Sequence, residues 1–168
     1  MAGFGTKLLR SIGLASTPET TRLEKVSAGS VVLRGKLRSR TGLRSPLEDV
    51  RCVGYVYWST QRVPVPQGGF RRLPLVKVKV YAEDLELELE GGRVSLRPKQ
   101  VDSFSREQHE RLAEQGYEDF KAKETRLIGG REAILRGKAS REGDRWVVVF
   151  KEIELPPKPP AADKASAS

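Results

Sequence analysis

The sequence predicts a mainly β protein: a curled antiparallel barrel with one helix near residues 106–115 and a disordered C-terminal tail. Three observations carry that expectation. Apolar and charged side chains alternate with period two in several stretches, as in a strand with one buried and one wet face. Glycines such as Gly35 and Gly54 fall inside strand-like runs, where they mark bends or bulges in a strongly curled sheet. After Leu155 the chain reads PPKPPAADKASAS, a composition that cannot supply a core.

Residues 75–98 give the clearest pattern. Val76, Val78 and Val80 alternate with Lys77 and Lys79; Leu87 and Leu89 alternate with Glu86, Glu88 and Glu90; Val94 and Leu96 alternate with Arg93, Ser95 and Arg97. A three-strand meander is expected. A bend at Glu83-Asp84 sets Val80 against Leu87 and Lys79 against Glu88. A Gly91-Gly92 turn sets Leu89 against Val94 and Glu90 against Arg93. Both faces are satisfied in one register, and glycines suit a tight hairpin.

Taken in order, residues 1–21 form an N-terminal arm. Phe4, Leu8 and Ile12 fall four apart, so residues 2–14 can form a short amphipathic helix that packs back, anchors on a membrane surface or docks on a partner; a frayed arm is the other reading. Residues 22–154 form the folded domain, and 155–168 the disordered tail. Val31–Leu37 is a strand. Arg51–Thr60 is a strand apolar on both faces, and so central. Residues 61–74, with three prolines and Gly68-Gly69, are expected to be a loop. Ser105-Arg106-Glu107-Gln108 is a capping box that opens the helix, and Gly116 closes it. Glu132–Ala139 and Arg145–Ile153 form a hairpin around Glu142-Gly143-Asp144. The segments Leu33-Arg34-Gly35-Lys36 and Leu135-Arg136-Gly137-Lys138 echo one another, as two similar curled strands opening and closing a barrel would.

The 168 residues carry a net charge of +9. Residues 1–81 hold 15 Lys or Arg against 4 Asp or Glu, and residues 82–168 hold 16 against 18. A basic half suits nucleic acid, an anionic membrane or an acidic protein. One cysteine, Cys52, and one histidine, His109, exclude an intrachain disulfide and a Cys/His zinc cluster. No apolar run approaches the ~20 residues of a membrane span. Lys7 and Arg10 interrupt the N-terminal apolar residues, which does not fit a secretory signal. A cytoplasmic setting is expected, with membrane association through residues 2–14 as the alternative.

Catalytic signatures are missing. There is no phosphate loop, dinucleotide fingerprint or nucleophile elbow. Cys52 follows Arg51 but lies on a strand, where a buried structural thiol is expected. His109 is read as a surface residue of the helix. A binding module without cofactor or metal fits better than an enzyme.

Several stretches together resemble the GIDE domain, known from membrane-embedded mitochondrial ubiquitin ligases and from bacterial and plant relatives. They are Gly29–Gly35, then Ser45-Pro46-Leu47 followed by Cys52 and Tyr55, then Gly92-Arg93-Val94 with Pro98, and finally Glu124, Leu127, Gly130 and Ile134–Gly137. The resemblance spans about residues 23–150. It implies an OB-like barrel and an interaction role. One cysteine cannot build a RING finger, so ligase activity does not carry over.

The expected function is therefore that of a standalone GIDE-like interaction module acting on a protein or envelope-associated partner through basic connections. Lys36, Arg38, Arg40 and Arg44 lie on one connection, and Phe70, Arg71 and Arg72 on another. The alternatives are an OB-like nucleic-acid binder, with Tyr55 or Trp58 as a stacking face, and a peripheral membrane protein. The oligomeric state is not legible in the sequence.

Overall fold

The computed structural model describes residues 17–157. Residues 1–16 of the arm and 158–168 of the tail lie outside that range, and with them the expected helix over residues 2–14. The strands are β1 (Glu19–Thr20), β2 (Gly29–Arg38), β3 (Leu43–Arg44), β4 (Arg51–Cys52), β5 (Gly54–Pro64), β6 (Phe70–Tyr81), β7 (Glu86–Leu89), β8 (Gly92–Pro98), β9 (Lys121–Leu127), β10 (Glu132–Glu142) and β11 (Arg145–Glu154). Among the described residues one α-helix, α1 (Arg106–Ala113), lies between β8 and β9, and a 3-10 turn (Leu23–Lys25) precedes β2.

Five strands close a barrel in the order β2-β10-β11-β8-β7, with β7 returning to β2. By first appearance they run one-four-five-three-two and back to one, a five-stranded Greek-key closure of OB type. The barrel is mixed, because β8 and β11 are parallel while the other four pairs are antiparallel. Leu33, Leu37, Leu87, Val94, Leu135, Val148 and Phe150 fill its interior. The alternating residues seen in the sequence are the inward ones.

Gly35 and Gly137 let the wall close. A Cβ on Gly35 would overlap the Glu88 carbonyl oxygen where β2 turns from β10 toward β7, and a Cβ on Gly137 would overlap the Val149 carbonyl oxygen. The echo places these strands side by side, with Leu33 directly opposite Leu135.

Everything between β2 and β7 is an excursion from the barrel. It leaves at Arg38 and returns at Glu86, which are paired neighbours. Within it β5 and β6 form a long two-stranded ribbon, and β9 adds to the other side of β5. This second sheet has its own small core of Cys52, Tyr55, Tyr57 and Val80, joined by Phe104, Leu112 and Ala122. Helix α1 roofs that face. The Ser105 hydroxyl caps it by accepting from the Gln108 amide at 3.3 Å, and Gly116 beyond its end has φ of +79°.

Three sequence expectations change. The meander of residues 75–98 is divided between the two sheets: Val78 pairs with Tyr57 and Lys79 with Val56, so β6 never meets β7. The β7–β8 hairpin is real, but Leu87 faces Val94 and Leu89 faces Gly92. Glu90-Gly91 makes the turn instead of Gly91-Gly92. A shift of two keeps every side chain on its face, so the core is the same either way. Residues 61–74 are mostly ribbon, with only residues 65–69 outside the strands. Pro74 is accommodated beside the bulge at Ser59/Thr60, and Pro64 at the last rung of the ribbon.

Candidate functional site

The connection after β2 is held by one carboxylate. Asp84 accepts from the Ser39 hydroxyl (2.5 Å), the Thr41 hydroxyl (2.8 Å) and the backbone amides of Arg40 (2.9 Å) and Thr41 (3.1 Å). These hydrogen bonds, the one from Ser39 foremost, hold the Asp84 carboxyl well below the usual carboxylate range. Arg40 is thereby fixed at the rim of a groove of about 870 Å³, outside β7 and β8.

That groove has Arg40, Arg93, Arg97 and Arg145 at its edge, and Tyr81, Leu96 and Val101 among its apolar lining. Val101 is 79% exposed. Most of the arginine charge is answered locally. Arg97 is bidentate to Glu142 at 3.0 and 3.2 Å, Arg93 lies 3.7 Å from Glu86 and 3.9 Å from Glu88, and Arg145 lies 3.4 Å from Glu86.

The other residues singled out in the sequence are distributed as follows. Lys36 is exposed on β2 between Glu88 and Glu132. Arg38 is paired with Glu88 at 2.6 Å, and Arg44 donates to the Asp49 carbonyl at 2.8 Å. Phe70 is 56% exposed at the ribbon end, with the Arg62 guanidinium 4.4 Å from its ring centre. Arg71 is exposed beside it. Arg72 is anchored inward, to the Thr60 hydroxyl (2.9 Å), the Asp119 carbonyl (3.0 Å) and the Asp119 carboxylate. The two basic clusters do not converge. Gly54 pairs with Tyr81 at the barrel end and Pro64 pairs with Phe70 at the tip, a span of roughly 30 Å at strand rise.

The motif residues are structural. Ser45 and Pro46 are fully buried, and the Ser45 hydroxyl accepts from the Val50 amide at 3.1 Å. Burial raises the Cys52 thiol, so Arg51 does not activate it; the Arg51 guanidinium reaches the Arg40 carbonyl instead. Tyr55 is only 2% exposed, donates to the Phe104 carbonyl at 2.6 Å, and is pushed up to about 12 by burial. It cannot stack a base. Gly35 sits at the closing seam, and Gly92 begins β8 against Leu23. His109 is not a free surface residue. Its Nδ1 lies 2.8 Å from the Tyr57 hydroxyl, and burial lowers its pKa.

Two features take on roles that the sequence does not show, although Glu124 is among the resembling residues and Trp58 is a candidate stacking face. Glu124, whose side chain is 3% exposed, accepts from the Leu47 amide at 2.6 Å and fixes the Ser-Pro-Leu turn. Nothing local signals that contact across 77 positions of chain. The second is the open face of β6-β5-β9. Trp58 pairs with Lys77 on one side and Lys123 on the other. The alternations at residues 77–80 and 121–124 carry the signal for this face, but the first fits pairing with β7 equally well on charge.

Among the described residues no helix is long and apolar enough to cross a membrane. No family model matches the chain, and neither a curated protein nor a solved structure matches it.

Proposed function

We propose that this protein is a binding module without a reaction of its own, and that it docks a segment of a protein partner in the groove between the Ser39–Gly42 loop and β8. The observation that carries the reading is the groove's make-up: an apolar lining that includes the exposed Val101, edged by Arg40 and by Arg93, Arg97 and Arg145, which already have carboxylate partners. Such an edge suits a peptide with mixed polar groups around an apolar anchor. It suits a polyphosphate poorly, because Arg93, Arg97 and Arg145 would each have to exchange a carboxylate they already hold, which leaves Arg40 alone to meet the charge. The reading agrees with the interaction role that the GIDE resemblance implies.

The test is selection of a random 12-mer peptide display library on the full-length protein. Enriched peptides should carry an apolar anchor with acidic neighbours. Val101→Asp and Arg145→Glu should each weaken the best peptide by about 5- to 30-fold, the range of a strong interface residue. A selection with no enrichment, or peptides indifferent to both substitutions, would overturn the proposal.

A further inference from the structure

The second sheet has two unlike faces. Tyr55, Tyr57, Val78 and Val80 point to the side roofed by α1, while the alternate residues point away from it. On that open side Trp58 sits between Lys77 and Lys123, its direct neighbours on the two flanking strands. The next row along carries Lys79, and the row beyond Trp58 in the other direction carries Lys121 opposite Thr60. Beyond β6 the face runs into a groove of about 580 Å³, where Lys99 and Lys151 join Lys77 and Lys79.

The charge on this face is little compensated. Lys79 meets Glu152 at 3.0 Å, and Lys121 lies 4.0 Å from Asp119. Lys77, Lys99, Lys123 and Lys151 have no ion pair among the described residues. Asp102, in the same groove, is occupied by the Lys79 backbone amide at 3.0 Å. The balance differs from the arginine-edged groove: there Arg93, Arg97 and Arg145 face carboxylates and Arg40 does not, here most cations face solvent.

We infer that this face binds single-stranded nucleic acid, with a base stacked on Trp58 and the backbone phosphates along the lysines. An aromatic plane with ammonium groups on both sides offers a flat surface to a base and point charges to the phosphates around it. A duplex keeps its base faces covered and has nothing to offer the indole. Rows of outward side chains repeat about every 6.8 Å, so the three rows cover roughly 14 Å, room for a few nucleotides. The site adjoins the peptide groove at Tyr81, which lines both, but Trp58 and the lysines belong to it alone, so it does not depend on that reading.

The experiment is fluorescence anisotropy of a labelled 12-nucleotide oligo(dT) with the full-length chain. Engaging the four unpaired lysines predicts a slope of about −2.8 in log K against log salt, so roughly 50-fold weaker binding at 200 mM than at 50 mM salt. The double variant Lys77→Gln/Lys123→Gln, at two exposed positions, should flatten that slope by about 1.4. Trp58→Leu should weaken binding by about 5- to 150-fold. In a Trp146→Phe chain, where Trp58 is the sole tryptophan, oligo(dT) should quench the fluorescence, which reads stacking with the Trp58 side chain kept. The inference falls if oligo(dT) does not bind at 50 mM salt, or if the lysine variant binds unchanged. It also falls if the tryptophan signal is unmoved, or if a 12-base-pair duplex or a polyglutamate peptide binds equally well.

Discussion

Replacing Asp84 with alanine removes all four hydrogen bonds that hold the Ser39–Gly42 loop. Two come from backbone amides, as at a helix N-cap, where losing the cap costs about 1–2 kcal/mol. The two hydroxyl bonds add about 0.5–1 kcal/mol each before discounting for water, which reaches this half-exposed site. A loss of about 2–3 kcal/mol follows, or about 5–10 °C in melting temperature for a chain this size. Asp84→Asn keeps the shape and loses the charge, so it should cost about half as much. The pH dependence fixes the cause. A carboxylate whose folded pKa is depressed stabilises the protein fully above its unfolded value near 3.9, and progressively less as the pH falls toward the folded value. The gap between wild type and Asp84→Ala in urea denaturation should therefore be constant from pH 7 to 5 and shrink below pH 4. Amide exchange at Arg40 and Thr41 should accelerate at pH 7. A variant as stable as wild type at pH 7, or a gap that persists unchanged to pH 3, would refute the reasoning.

Gly35→Ala should destabilise by about 3 kcal/mol or more, since the new methyl meets a backbone carbonyl that belongs to the barrel seam; equilibrium unfolding measures it, and a loss under 1 kcal/mol would mean the seam yields. Cys52 should resist iodoacetamide in the folded protein at pH 8 and react once unfolded, because it is buried and its thiolate disfavoured. The single His109 resonance should titrate below 6.5 in NMR spectra, and Tyr57→Phe, which deletes its 2.8 Å partner, should shift it; a midpoint above 6.5 would contradict a half-buried ring.

The inward residues of the barrel were legible because burial imposes period two whatever the partner strand. Leu87, Leu89, Val94 and Leu96 are core under the expected register and under the observed one. Partner choice was not legible. Lys77 and Lys79 complement Glu88 and Glu90 on paper, yet in the fold they flank Trp58 and Val56. Period two states which face a residue takes and says nothing about which strand lies beside it. The prolines of residues 61–74 suggested a loop because each removes a ladder donor, but Pro64 and Pro74 fall at the ribbon tip and beside a bulge, where that donor is dispensable. For the candidate sites, the sequence located Arg40 and the ribbon tip on exposed connections. It could not show that Arg72 and Arg38 are held by Asp119 and Glu88, since those partners come from distant chain. Nor could it show that Lys99, Lys123 and Lys151, in the half whose net charge is negative, have no ion pair among the described residues.

Arg38 and Glu86 stand side by side on β2 and β7, so the chain departs from the barrel and rejoins it through a doorway one rung wide. Val53, Tyr81 and Leu85 still pack on the barrel core, but lengthening or shortening the chain beyond them changes closure entropy only logarithmically. The part carrying Trp58 and Phe70 can therefore diverge in size and chemistry while the scaffold stays fixed. The limit on that freedom is β9, which enters from the far side of the barrel sequence to complete the appended sheet. Any remodelled excursion must still offer it an edge at residues 54–60.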